Sequence, residues 1–492
     1  MKKAGIIGAG IGGIGTAIRL QLKGYDVSVF EANEYAGGKL GEFWVGDYRF
    51  DSGPSLFTMP RQVEELFELA GVPIEPYFTY ERLDPVCRYF YEDGTVLDAK
   101  ADQQAFAKEV AAKTGVTEAQ IGQLLERSRE LYDITGHVFL EKSLHKLKTF
   151  LLPDTLRSIL KLHRIDAFRS MHQANAAQFQ DPRVVQLFNR YATYNGSDPY
   201  QAPATLNVIP HLEFNQGAFL PKEGMVAIPR ALIQLAKDLG VKFHLNQPVD
   251  KIEVENQRAT GIWLNGEFEP FDVVVSNMDV VPTYRKLLAD QPAPERTLNQ
   301  PRSSSALIFY WGVNKNFPEL DLHNIFFSGD YQQEFNQIWQ EKTVPTDPTV
   351  YVFISSKKLE KDAPPGGENW FTMINVPANQ GQDWETLTLQ AREAIITKLE
   401  RMLGKPVEDH IEGERVMDPP GIESWTSSFR GALYGSSSNN KFAAFLRHPN
   451  FSQRIKNLYF CGGSVHPGGG IPLSLLSARI VGDLVEPVPV AK

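Results

Sequence analysis

The stretch Lys2–Leu40, KKAGIIGAGIGGIGTAIRLQLKGYDVSVFEANEYAGGKL, sets the architecture of everything that follows. A short apolar strand, Ala4 to Ile7, runs into Gly8-x-Gly10-x-x-Gly13. Ile14, Ala17, Ile18 and Leu22 then recur at helical spacing as far as Lys23, and Gly24 ends that helix. The β-branched run Val27–Phe30 follows and delivers Glu31 at its carboxyl end. Each glycine has a mechanical reason: Gly8 permits the tight turn, Gly10 lets backbone approach a pyrophosphate, and Gly13 lets helix pack closely on strand. The helix N-terminus presents free N–H groups and a positive dipole end to phosphates. Glu31, some twenty residues on, suits a ribose hydroxyl and disfavours a 2′-phosphate. A lone glycine turn is common punctuation, but strand, helix, second strand and acid together predict a Rossmann-type dinucleotide site.

The next residues select the cofactor. Ala36-Gly37-Gly38-Lys39 resembles the extended signature of two-domain flavoproteins, in which a Gly-Gly-Arg segment also lines FAD. Lys39 replaces the usual arginine, keeping the charge but losing the planar fork. FAD is therefore the expected cofactor.

A chain of 492 residues is too long for one small core and predicts two or three domains. Its formal net charge of −9 argues against a general nucleic-acid role. The two cysteines, Cys87 and Cys461, are far apart and in no metal-ligand spacing, so neither a metal site nor a disulfide framework is expected. A strand beginning within three residues of Met1 predicts no signal peptide. No apolar run approaches membrane-spanning length, so a cytoplasmic protein without a transmembrane helix is expected.

Further along, Gly53-Pro54-Ser55 forms a turn, and residues 61–70 read as an amphipathic helix ending at Gly71. Val86–Val96 alternates around Asp93-Gly94 and predicts a hairpin. Residues 101–136 are helix-rich. The segment 137–172 is leucine-rich and locally basic, with Lys142, Lys146, Lys148, Arg157, Lys161, Arg164 and Arg169 against Glu141, Asp154 and Asp166. Leu144, Leu147, Phe150 and Leu151 fall on one face before Pro153, and Leu156, Ile159, Leu160 and Leu162 continue the pattern. Such a stretch either lies in a membrane interface or packs its apolar face inward. Gln186–Thr205, dense in aromatics, suits either a cavity wall or a core corner. An α/β rhythm then returns: a helix over 227–239, and strands over 241–245, 249–254, 259–264 and 272–277, read as the remaining strands of the nucleotide-binding domain. Strand-like runs at 304–325, 349–354 and 370–376, with a helix over 384–403, predict a mainly antiparallel sheet and hence a second domain. Asn457–Gly463 is one more buried strand, followed by Val465–Pro472 and a helix from Leu473 to Asp483.

Taken in order, Gly8, Gly10, Gly13, Glu31, Gly37-Gly38-Lys39, Gly53-Pro54 and His466-Pro467-Gly468-Gly469-Gly470-Ile471-Pro472 resemble bacterial carotenoid desaturases of the phytoene desaturase type, within the flavin amine-oxidase superfamily. The resemblance runs along nearly the whole chain. Its most specific parts are that terminal motif and Asn195–Tyr200, while Leu56–Pro60, Asp84–Phe90 and Arg190–Tyr194 are most similar to the branch that introduces a 3,4 double bond into 1-hydroxylated carotenoids. Glu223 departs from a usual glycine before Gly224-Met225, and Leu473 from a frequent glycine after Pro472.

The resemblance implies a discontinuous FAD-binding domain (1–75, 215–285 and 415–492), an inserted mixed or antiparallel substrate sheet (76–100 and 286–414) and a helical, membrane-facing subdomain (101–214). It implies FAD held by Gly8, Gly10, Gly13, Glu31, Gly37, Gly38, Lys39, Gly53, Pro54, Ser55, Val249, Gly462, Gly463, His466, Pro467, Gly470, Ile471 and Pro472. It also implies a carotenoid substrate, oxygen or a quinone as electron acceptor, and peripheral attachment through 137–172 to the inner face of the cell membrane. No catalytic acid or base is assigned. Phytoene or dehydrosqualene desaturation, an amine or porphyrinogen oxidase, and a non-enzymatic escort of the GDP-dissociation-inhibitor type are the alternatives on the same scaffold.

Overall fold

The structure, a computed structural model, describes residues 1–136, 140–146, 149, 155, 161, 164–440 and 443–489. Its nucleotide layer is a five-stranded sheet in the order Lys242–His244, Asp26–Phe30, Lys3–Ile7, Val273–Ser276 and Leu458–Phe460, with every pairing parallel. Parallel strands buried on both faces need near-continuous apolar runs, and Val273–Ser276 is buried at all four positions. Helices Ile11–Leu22 and Ile471–Leu484, from opposite ends of the chain, pack on each other across one face, with Ala227–Asp238 beside them. The first helix begins at Ile11, three residues before the apolar period suggested. Gly12 and Gly13 are weak helix formers, but they occupy the first turn because contact with neighbouring backbone requires their small size.

One strand expectation is corrected. Residues 249–254 and 259–264 do not extend the parallel sheet: Lys251–Glu255, Arg258–Leu264 and Glu267–Pro270 form a separate antiparallel meander. Its strands are joined at Asn256-Gln257 and Asn265-Gly266, all at positive φ. Two-residue turns of that kind return the chain antiparallel and leave no length for the crossover a parallel neighbour needs.

The second layer is a seven-stranded sheet in the order Ile411–Met417, Ser305–Val313, Glu368–Val376, Val350–Ile354, His323–Phe326, Cys87–Phe90 and Val96–Ala99. Only His323–Phe326 and Cys87–Phe90 pair in parallel. The period of two sorts the long strand Ser305–Val313: Leu307, Phe309, Trp311 and Val313 join the core under helix Trp384–Leu403. Ala306, Ile308 and Tyr310 face the opposite core. Burying each of these larger side chains contributes about 1.5–3 kcal/mol. The segment 76–100 divides between layers, because Tyr80–Arg82 pairs with Ala218–Pro221 before the chain enters the large sheet at Cys87. Helices Gln103–Lys113, Glu118–Thr135, Met171–Gln178 and Pro182–Asn189 cover the Ile308 face.

Of the basic stretch, Lys148 and Arg157 lie outside the described residues, as do Leu147, Phe150, Leu151, Leu156, Ile159, Leu160 and Leu162. Lys146 sits over the Phe451 ring at 4.2 Å. Arg164 and Arg169 pair with Glu130 and Asp166. Among the described residues no helix is long and apolar enough to cross a membrane.

Candidate functional site

One continuous cavity of about 1200 Å³ runs from the carboxyl edge of the parallel sheet to the space between the seven-stranded sheet and the helices. Its first half is lined by Gly8, Gly10, Glu31, Gly37, Gly38, Lys39, Gly53, Pro54, Ser55, Val249, Gly462, Gly463, Pro467, Gly470, Ile471 and Pro472. Residues more than four hundred positions apart therefore meet at one place.

The glycines meet because nothing larger fits. A Cβ on Gly13 would lie 2.2 Å from the Gly8 carbonyl oxygen, and one on Gly12 would lie 3.0 Å from the Gly462 backbone. A Cβ on Gly53 would lie 2.1 Å from the Lys39 carbonyl oxygen. Gly13 itself is packed away from the cavity, as close helix–strand contact demands. Asn277, at the end of strand Val273–Ser276, was not singled out by the sequence. Its side chain fills the angle between Gly10, Gly12 and Gly462, and its Nδ2 donates to the Cys461 carbonyl at 3.3 Å. A polar residue ending an apolar strand is the signal that marks it.

Glu31 is buried, with Oε2 accepting from the Ala9 N–H at 2.8 Å and Oε1 from the backbone and side chain of Asn33. A carboxylate has roughly four lone-pair sites, so acceptor capacity remains beside the cavity. Lys39 is half-buried and donates to the Leu433 carbonyl at 2.9 Å. Burial pushes its ammonium down to about 8, Asp279 opposing and Arg302 reinforcing the shift. His466 is corrected: it does not line the cavity. Its ring is buried with Nε2 on the Lys142 carbonyl at 2.9 Å, tying the glycine-rich loop to the basic segment instead. Burial pushes His466 down to about 3, which keeps that ring neutral.

The second half has a different lining. Ile308, Ile325, Phe371, Met373 and Met417 come from the sheet, and Leu140, Ile165, Ala167, Leu206 and Ile209 from the helical side. Set into this apolar wall is a buried polar cluster. Arg190 donates to the Tyr89 hydroxyl at 2.8 Å and faces Glu213 at 3.6 Å. The hydroxyls of Tyr191 and Tyr194 both donate to Glu213. Burial pushes Glu213 upward, opposed by Arg190 and the Tyr191 hydroxyl. Beside it, Ser55 Oγ, Tyr351 Oη and His323 Nδ1 form a chain with steps of 2.7 and 2.8 Å. None of Glu213, His323 or Tyr351 was legible as a site residue. Each comes from a separate segment without a motif.

Residues 11–485 match the family described as flavin containing amine oxidoreductase. The chain belongs to this family. A 1-hydroxycarotenoid 3,4-desaturase from Flavobacterium sp. (strain P99-3) is 51% identical over 485 residues, covering 99% of each chain. A 4,4′-diapolycopene oxygenase from Methylomonas sp is 35% identical over 492 residues, covering 98% of this chain and 97% of its own. Among solved structures, a triple mutant of putrescine oxidase superposes with a TM-score of 0.65 at 15% identity, covering 98% of each chain, and shows the shared fold. Within the flavin amine oxidoreductases the chain groups with the carotenoid desaturases, and its cofactor is FAD. The residues present fit that cofactor: a glycine cradle without room for side chains, an acid with acceptor capacity to spare, and a half-buried cation.

Proposed function

We propose that this flavoenzyme introduces a carbon–carbon double bond into a carotenoid, at the 3,4 position of a 1-hydroxylated acyclic or monocyclic chain. The observation that carries the reading is the continuity of the cavity, from a glycine-lined nucleotide half into a long apolar half. The 51% identity to a 1-hydroxycarotenoid 3,4-desaturase supports it. Bound FAD supplies what no side chain can, the capacity to accept a hydride. The chain's own residues do the rest. Gly8, Gly10, Gly37, Gly38, Gly53, Gly462 and Gly463 let backbone close on the cofactor, while Glu31 takes the ribose end. Pro54, Ser55, Val249, Pro467, Gly470, Ile471 and Pro472 wall it.

Ile308, Phe371, Met373 and Met417 hold a polyene against the cofactor and exclude water, which is where binding converts into rate. Lys39 presents a half-buried cation to charge that arrives at that end of the cavity. Leu140, Ala167 and the exposed Phe168, all within the basic segment 137–172, line the cavity. This placement supports attachment to the inner, anionic face of a membrane, with the carotenoid entering from lipid and a quinone or oxygen taking the electrons.

The test is anaerobic. FAD-loaded protein is mixed with liposomes carrying 1-hydroxylated carotenoid, or with putrescine, while flavin absorbance is followed. Bleaching by the carotenoid alone is expected. Bleaching by the amine but not by the carotenoid would overturn the reading.

A further inference from the structure

Among the described residues that line the apolar half of the cavity, two buried polar atoms have no partner, His323 Nε2 and Arg190 Nε, and the first belongs to a ring that is otherwise fixed. His323 is 3% exposed and is one of the residues that line the cavity, and its Nε2 has no hydrogen-bond partner. A buried, unmet imidazole nitrogen is costly unless something supplied later satisfies it. The opposite nitrogen is held: Nδ1 meets the Tyr351 hydroxyl at 2.8 Å, and that hydroxyl meets Ser55 Oγ at 2.7 Å. The ring also stacks on Phe353, with centroids 5.1 Å apart, so its plane is set as well. We propose that His323 Nε2 is the anchor for the alcohol group at the end of the substrate chain, with Tyr351 and Ser55 as the positioning residues that aim it. The assignment rests on the desaturase reading and adds to it the residues that select a hydroxylated chain.

Three features favour an alcohol. The imidazole is neutral, because burial and the nearby Arg190 charge push it down to about 3. A neutral ring leaves Nε2 either a donor or an acceptor, depending on the tautomer, and a hydroxyl satisfies both. A carboxylate end group would be drawn to Arg190, whose Nε is also unmet, but Glu213 beside it offsets that charge. An amine would have to shed its charge to sit among Ile325, Phe371 and Met373.

The location fits the chemistry of a 3,4 bond in a 1-hydroxylated chain. The carbon bearing the hydroxyl is two bonds from the nearer reacting carbon, so anchor and reacting bond must lie within a few ångströms of each other. The relay starts on Ser55, in the same loop as Gly53 and Pro54, where the two halves of the cavity join. That loop is itself pinned to the sheet, since the Tyr310 hydroxyl donates to the Ser52 carbonyl at 2.6 Å. An alcohol held on His323 leaves the rest of the polyene to run outward past Ile165 and Ala167.

The experiment compares two carotenoids of the same chain length, with and without the 1-hydroxyl, presented in liposomes to FAD-loaded protein. The readout is the apparent second-order rate constant of flavin reduction, from the dependence of anaerobic bleaching on carotenoid concentration. The wild type is expected to prefer the hydroxylated chain by about tenfold or more, since a site built around a hydrogen bond rejects the analogue lacking it. His323→Leu should bring the ratio to within about twofold of unity, and His323→Gln, which keeps a polar tip, should restore part of it. Tyr351→Phe should lower the ratio by a smaller factor, with the flavin spectrum unaltered. A His323→Leu ratio equal to the wild-type ratio would overturn the assignment. If that variant does not fold, an unchanged ratio in Tyr351→Phe would do the same. If neither carotenoid bleaches wild-type flavin, the desaturase reading falls. Carotenoid binding by quenching of tryptophan fluorescence then decides the anchor alone: equal affinities for the two chains reject it, and a preference lost in His323→Leu retains it.

Discussion

The two halves of the cavity are built by opposite rules. The nucleotide half is made of absence: Gly10, Gly12, Gly38, Gly53, Gly462 and Gly463 leave space where side chains would stand, and backbone does the lining. The substrate half is made of presence, with Ile, Met and Phe side chains packed around a few buried polar groups that satisfy one another, save His323 Nε2 and Arg190 Nε. A site that binds through backbone is tied to local sequence spacing. One that binds through side chains can draw them from any strand or helix that reaches the cavity. The first therefore carries the chemistry common to the family, and the second carries the choice of substrate.

Breaking the substrate half should have the larger effect on stability. Arg190→Met leaves Glu213 buried at 1% exposure without its cation, and removal of one partner of a buried pair costs about 3–5 kcal/mol. Urea denaturation should show that loss, with the FAD spectrum kept in the molecules that remain folded. A change under about 1 kcal/mol would mean that Tyr191 and Tyr194 alone sustain the carboxyl.

Breaking the nucleotide half should instead cost affinity. Gly10 has an ordinary φ of −73°, so a side chain there is excluded by space rather than by backbone strain. Its Cβ would lie 2.6 Å from Asn277 Oδ1, a side-chain atom that can yield. Gly10→Val is expected to weaken FAD binding by about ten- to a hundredfold, or about 1.4–2.8 kcal/mol, in a protein that still folds. Titration of apoprotein with FAD measures it, and an unchanged dissociation constant would remove Gly10 from the cofactor site.

This division also explains what could be read in advance. Gly8, Gly10, Gly13 and Glu31 sit at fixed spacing in one short stretch because strand, turn and helix must follow one another, so the dinucleotide fold was legible from the first forty residues. The terminal cluster from Gly462 to Pro472 was legible for the same reason. Arg190, Glu213, His323 and Tyr351 were not, since no local constraint relates residues brought together only by the seven-stranded sheet and its helical cover. The aromatic stretch 186–205 reads on its own first as a core corner and only second as a cavity wall, and tertiary structure gives it both roles: Arg190, Thr193 and Tyr194 line the cavity while Tyr191 is wholly buried. Residues 249–254 and 259–264 read as strands of the parallel sheet because a short strand-forming run looks the same in either sheet. His466 was read as a cofactor residue through its neighbours Pro467 and Gly468, although its ring turns the other way.

The most direct measurement is a single anaerobic turnover of FAD-loaded protein with a 1-hydroxylated carotenoid, followed by mass and absorbance analysis of the product. One flavin bleached per molecule that has lost two hydrogens, with the new double bond at the 3,4 position, is the expected result. A product recovered only in air and carrying an added oxygen atom, as the names of the 35%-identical relative and its kind would suggest, would contradict desaturation as the reaction of this cavity.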